Sequence, residues 1–179
     1  GKSEGHTITF GINERRDCLE WIKFVINHFG KDVKIVLTGI SMGAATVMMA
    51  SNMDLPSNVI GILADCGYDS PKNIIKKYIS DLKLPANIFY PFVKLGAKIF
   101  GKFNLEEASA IEAVKNSKVP IILIHGTSDS LVPYPHSVNR YEACTSAKKL
   151  VPIKDAEHGV SYLHDPDTYV NELNAFIKY

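Results

Sequence analysis

A serine between two glycines, Gly39-Ile40-Ser41-Met42-Gly43, is the part of this sequence best suited to covalent chemistry. The pattern G-x-S-x-G gains meaning from its flanks: the β-branched run Val33 to Leu37 leads in, and an apolar stretch from Met42 leads out. A serine on a sharp strand-to-helix turn is held in strained backbone geometry with its Oγ projecting above a sheet. The helix that follows directs its unpaired N–H groups and the positive end of its dipole at the same point, which makes Met42 N–H the expected first donor to an oxyanion. A serine hydroxyl is a poor nucleophile near neutral pH, so a base must lie within reach and a third group must orient it. Asp129, in His125-Gly126-Thr127-Ser128-Asp129, and His158, in Ala156-Glu157-His158-Gly159, each follow a strand-like apolar run. Together they predict acyl transfer. His158 takes the proton of Ser41 as it attacks a carbonyl, Asp129 holds the imidazole in its tautomer, and water later resolves the acyl-enzyme.

Other residues compete for these places. Gly1-Lys2-Ser3-Glu4-Gly5 satisfies the same serine pattern, but no strand precedes it and no helix follows directly, so Ser3 is set aside. Among six histidines, His28 lies inside a helical pattern, His6 and His136 fall on loops, and His125 precedes the acid. His164, close behind His158, is the rival base. Asp65, at the end of the second strand-like run, is the alternative acid, because carboxylates at neighbouring strand ends can reach one imidazole. Nothing in this set calls for a metal or an organic cofactor.

The elements that must position these groups are legible as hydrophobic periodicity. Leu19, Ile22, Ile26 and Phe29 recur at helical spacing after the candidate N-cap Asn13 and before Gly30. Val33 to Leu37 reads as a strand buried on both faces, followed by a helix from Met42 to about Asn52. Asn58 to Ala64, Val119 to Ile124 and Leu150 to Ile153 repeat the strand signal. A last helix opens at Asp165-Pro166 and carries Val170, Leu173, Phe176 and Ile177 on one face. The alternation predicts an α/β fold, a mostly parallel sheet of about four strands with helices on both faces. Between the second and third strands, residues 69–117 hold helical patterning, Pro85, Pro91 and the aromatics Phe89, Tyr90, Phe92, Phe100 and Phe103. That is too much chain for one crossover, and it predicts a helical lid insertion over the carboxyl edge of the sheet, where open α/β sheets bind ligands.

Composition narrows the partners. Twenty Lys plus Arg against nineteen Asp plus Glu leave a net charge of +1, which gives no global field to attract nucleic acid or an anionic membrane. A small neutral or weakly charged molecule is the expected substrate. Cys18, Cys66 and Cys144 are odd in number and widely spaced, unlike a disulfide framework or a zinc site. No run approaches the roughly 20 apolar residues of a membrane span, and Lys94 and Lys98 read as the solvated edge of an apolar helix. A cytoplasmic placement is the expectation. The opening Gly1 without an initiator Met suggests a processed, tagged or truncated product, in which an upstream signal or anchor would be invisible.

The four segments Gly39-Ile40-Ser41-Met42-Gly43, Asp65-Cys66-Gly67-Tyr68, His125-Gly126-Thr127-Ser128-Asp129 and Glu157-His158-Gly159 together resemble α/β-hydrolases of a bacterial esterase- or peptidase-like group. The resemblance runs along nearly the whole chain, residues 1–179. It implies a serine hydrolase, carboxylesterase-like, with a peptidase or thioesterase using the same residues. The aromatic-rich insertion is expected to form an apolar acyl pocket for a small or medium acyl substrate. The resemblance also implies that Gly1 to Gly5 corresponds to the loop after the family's fourth strand, so that the first four strands and the second oxyanion donor lie outside this chain. The expectation is then a weak or inactive chain that self-associates through the bared edge of the strand at residues 33–37. The competing reading is a non-catalytic binding module on a hydrolase scaffold.

Overall fold

The computed structural model describes residues 4, 5 and 7–178; the serine pattern at Ser3 and the ring of His6 lie outside the described residues. Four strands, β1 (Ile35–Ile40), β2 (Val59–Asp65), β3 (Ile121–Gly126) and β4 (Lys148–Ile153), pair in that order, each parallel to the next. The helices are α1 (Glu14–Phe29), α2 (Met42–Ala50), α3 (Pro71–Asp81), α4 (Ala86–Ile99), α5 (Ala110–Val114), α6 (Pro135–Ala143), α7 (Ser161–His164) and α8 (Pro166–Ile177). This is a reduced α/β-hydrolase core, a four-stranded parallel sheet with helices on both faces and additional helical segments.

Strand alternation divides the core. On β3, Ile121 and Leu123 point to one side with α1, α2 and α3, while Ile122 and Ile124 point to the other, against Leu173 and Phe176 of α8. Gly61 makes room for that second layer, since a Cβ there would stand 2.6 Å from the ring of Phe176. Helix α2 is buried on nearly every side, at Ala44, Ala45, Val47, Met48, Met49 and Ala50, and its small residues let β1, α1 and α5 approach. Asp165 caps α8 by accepting from Thr168 N at 3.0 Å, ahead of Pro166 at the first helical position.

Several expected details differ. The first strand runs Ile35–Ile40 rather than 33–37, because its ladder to β2 continues through Thr38↔Leu63, Gly39↔Ala64 and Ile40↔Asp65. It is also not buried on both faces. It is the sheet's edge among the described residues, so only Leu37 is buried and Ile40 is 53% exposed. On α1 only Ile22 is buried, and Phe29, in its last turn, stands out in solvent. Asn13 makes no side-chain cap; Glu14 instead ties down the segment leading into the helix, accepting from Thr9 N at 2.7 Å and Gly11 N at 2.9 Å. Residues 69–117 do form helices, α3, α4 and α5. The outward face of α4, with Ile88, Phe92, Leu95 and Ile99, is apolar and exposed.

Burial sets the stability prediction. Ile122→Ala, at a fully buried site between β2 and β4, is expected to cost about 2–5 kcal/mol, whereas Phe29→Ser should stay within about 0.5 kcal/mol of the parent. Urea unfolding followed by circular dichroism measures both.

Candidate functional site

Because all four strands run the same way, their carboxyl ends emerge on one edge, and the loops there bring the chemistry-bearing residues together. Ser41 follows β1 directly, with φ 55° and ψ −115°, a positive φ that L-residues rarely adopt. Two backbone bonds hold it: its N–H donates to Asp65 O at 2.9 Å, and its carbonyl accepts from Ala45 N at 3.0 Å. Gly39 permits the turn, since a Cβ there would lie 2.2 Å from the carbonyl carbon of Gly43. As the first residue of α2, Met42 has no carbonyl one turn back for its N–H to bond.

The loops after β3 and β4 are sewn to each other. Thr127 N donates to Ile153 O at 2.9 Å, Ser128 N to Ala156 O at 3.1 Å, and Asp155 N to Thr127 Oγ1 at 2.9 Å. Gly126 lies so close to the second loop that a Cβ would meet Ala156 O at 2.2 Å. Asp129 Oδ1 accepts from Leu131 N at 2.9 Å and Val132 N at 2.8 Å, closing a tight turn. Its other oxygen accepts from His158 Nδ1 at 2.8 Å, and His158 Nε2 accepts from Ser41 Oγ–H at 2.9 Å. The Asp129 side chain is fully buried, while the His158 ring keeps 20% of its surface exposed. An acid, an imidazole and a hydroxyl thus form one line from the interior to solvent, an arrangement able to move a proton off the hydroxyl.

The other candidates lie elsewhere. His164 is exposed in α7, His28 is exposed in α1, and His136 in α6 sits 3.0 Å from Asp69. Asp65 accepts from Ser161 Oγ at 2.8 Å and so anchors the segment just after His158. Burial pushes its carboxyl up to about 6, against the opposing pull of the Ser161 hydroxyl and of a charge on His158. Cys66, also at positive φ (44°), has ligand atoms of Asp129 and His158 within 4.8 Å of its own. A metal held by these three would have to displace the His158 to Asp129 hydrogen bond, and burial pushes the Cys66 thiol up to about 12, away from the thiolate a metal needs. An apolar hollow of about 430 Å³ opens beside α3 and α4, lined by Ile75, Ile79, Val93, Ala97 and Phe103 among others, and by none of Ser41, Asp129 and His158.

Sequence reasoning did not find Ser161, Arg140, Ser137 or Asp69 as parts of this neighbourhood. Their burial follows from α6 and α7 packing over the strand ends, and no local pattern announces it.

A carboxyl whose folded value is raised stabilises the fold most below its ordinary value of 3.8, and that contribution is lost as the pH rises through about 6. Asp65→Asn keeps an acceptor for Ser161 without the buried charge. It should therefore raise the melting temperature at about pH 8, by up to about 3 kcal/mol of stability, with the gain vanishing below about pH 4. Thermal melts across that range check the sign.

The profile of the prolyl oligopeptidase family matches residues 8–179. Among curated proteins the chain is 23% identical over 178 residues to the uncharacterized protein YqkD of Bacillus subtilis, covering 99% of this chain and 58% of that protein. It is 34% identical over 68 residues to the alpha/beta hydrolase domain-containing protein aho-3 of Caenorhabditis elegans, 38% of this chain and 20% of the other. Among solved structures, the Pyrococcus furiosus esterase Pf2001 superposes with a TM-score of 0.74 at 25% identity, over 99% of this chain and 66% of that one. The Pyrococcus horikoshii acylaminoacyl peptidase superposes at 0.67 and 18% identity, over 96% of this chain and 28% of that one, a likeness of fold. The chain thus spans a little over half the length of the Bacillus relative. With the parallel sheet and the residues at its carboxyl edge, these matches establish that the chain belongs to the prolyl oligopeptidase family, within the α/β-hydrolase fold.

Proposed function

We propose that this chain carries the reactive centre of a serine hydrolase that cleaves a carboxylic ester or a related acyl bond. The observation that carries the reading is the pair of hydrogen bonds from Ser41 Oγ to His158 Nε2 at 2.9 Å and from His158 Nδ1 to Asp129 Oδ2 at 2.8 Å. Ser41 Oγ attacks the acyl carbon as its proton passes to His158 Nε2. Asp129 fixes the ring with Nδ1 protonated and stabilises the imidazolium. The proton is then delivered to the leaving group, and a water activated by the same imidazole releases the acid and frees Ser41. Met42 N–H is the donor this reading assigns to the oxyanion. Similarity to the esterase Pf2001 favours an ester substrate, and membership of the prolyl oligopeptidase family favours a peptide bond as the second reading.

Residues 69–117 serve, in this proposal, as a lid that offers an acyl chain the apolar outer face of α4. The exposed edge of β1 is a site for self-association, since its outward N–H and C=O groups have no strand beside them among the described residues. Elution from a sizing column should shift to larger species as concentration rises; a monomer at every concentration removes that part of the proposal.

Labelling by a fluorophosphonate probe tests the centre. Ser41→Ala should abolish it, and Asp129→Asn should slow it by on the order of 1,000- to 10,000-fold without unfolding the chain. If a second oxyanion donor comes from outside this chain, a longer form extended upstream will label about 100- to 1,000-fold faster. Labelling that survives Ser41→Ala overturns the assignment, and no labelling of either form points to a binding module.

A further inference from the structure

His125 lies four residues before Asp129 on β3, its ring is entirely buried, and the chemistry proposed above makes no use of it. Its surroundings fix where its proton sits. Nε2 lies 2.8 Å from Val132 O and 3.1 Å from Asp129 Oδ2, and both of those atoms can only accept, so Nε2 carries the hydrogen. Nδ1 lies 2.6 Å from Ser137 Oγ. That hydroxyl already accepts from Arg140 Nη2 at 2.7 Å, so its own hydrogen is the one available for Nδ1. Arg140 is itself buried and can only donate. Its other arm donates to Asp69 Oδ1 at 3.1 Å, and although burial lowers its guanidinium to about 10 it stays charged near neutrality. The chain of bonds therefore has one direction, from Arg140 to Ser137 to His125 to Asp129.

A doubly protonated ring would break it, because Ser137 Oγ would then face two donors and leave its own hydrogen without an acceptor. Burial and the Arg140 charge both depress protonation of His125, against the pull of Val132 O and Asp129. Tyr134 closes the site with a ring set edge-on to that of His125, 5.8 Å between centroids. The titratable or charged groups facing the ring are thus Asp129, Arg140 and Tyr134.

The consequence falls on Asp129. A carboxylate offers about four lone-pair sites, and here four donors point at them: Leu131 N and Val132 N on Oδ1, His158 Nδ1 on Oδ2, and, also on Oδ2, the single Nε2 hydrogen of His125, which is shared with the nearer Val132 O. With all four in place the carboxylate has no freedom to turn away from His158.

We propose that His125 is a positioning residue, a neutral imidazole held in its Nε2–H form by Arg140 through Ser137, which pins Asp129 Oδ2 against His158 and moderates its charge. The inference rests on the reading of Asp129 as the partner of His158 but does not require Ser41 to react. Glutamine places an N–H near the position of Nε2, whereas asparagine reaches only as far as Nδ1. His125→Asn therefore removes the bond to Asp129, and His125→Gln restores it.

The test is nuclear magnetic resonance of the whole chain with 15N-labelled histidine. His125 should show a bare Nδ1 and a protonated Nε2 from about pH 5 to about pH 8, since burial opposes its charging. In His125→Asn the titration midpoint of His158 should rise by about half a unit or more, because Oδ2 loses the donor that shares its charge. His125→Gln should hold it near the parent value. A protonated Nδ1, an unchanged or lowered His158 midpoint in His125→Asn, or an equal shift in both variants would overturn the proposal. Fluorophosphonate labelling of the parent chain and of its upstream-extended form separates the two ideas: no labelling of either, with the expected spectra, sinks the hydrolase reading alone, and Ser41-dependent labelling without the expected spectra sinks this one alone.

Discussion

Parallel pairing is the constraint from which the rest follows. Four strands that run the same way present four carboxyl ends on one edge, and each strand must then leave through a loop on that edge. Ser41, Asp65, Asp129 and His158 all belong to those exits. The ladder does more than collect them. The backbone bond from Ser41 N to Asp65 O and the bonds between the loops after β3 and β4 carry the sheet's rigidity past its last paired residues. A strained serine backbone persists only where its surroundings over-determine it, and here β1, β2 and α2 all do so.

Beneath this edge the protein buries polar groups that would be costly if left unmet. Arg140, Asp69, Ser137, His125 and Asp129 form a connected set, in which both Nη arms of Arg140 and the Ser137 and His125 donors meet acceptors while the buried Arg140 Nε–H meets none. Loss of any one of these partners would expose its neighbour to a desolvation penalty. The line is also directional. Arginine donates at one end and a carboxylate accepts at the other, so the intervening hydroxyl and imidazole have one arrangement of protons. Packing of α6 on β3 and β4 thereby bears on the orientation of a carboxylate some distance from it.

Asp65 shows the opposite economy. It ends the neighbouring strand β2, accepts a hydroxyl hydrogen bond from Ser161 and is pushed by burial toward its neutral form. Two carboxyls at neighbouring strand ends thus hold different environments, one surrounded by donors and the other desolvated. The apolar outer face of α4 and the open edge of β1 are similar departures from what burial alone would favour.

How much of this was legible in the sequence follows from the range of each interaction. The turn around Ser41 is local: a β-branched run, two glycines and an apolar helix within about twenty residues state it completely. The four strands and the helical character of residues 69–117 were legible for the same reason, since periodicity is a property of neighbours along the chain. Choosing among carboxylates and imidazoles was not local. His158 meets Ser41 across 117 residues of sequence and Asp129 across 29, and nothing short of the sheet's register brings them within hydrogen-bond distance. Order along the chain favours Asp129 and leaves Asp65 as the alternative acid, and the geometry pairs His158 with Asp129 while Asp65 accepts from Ser161. The reading of the first strand as buried on both faces failed because hydrophobicity records a preference for cover, whereas position in the sheet decides whether cover is there. The line from Arg140 to Asp129 left no mark in the sequence at all. A buried arginine on a polar helix and a histidine at a strand end acquire meaning only when packing removes water from both.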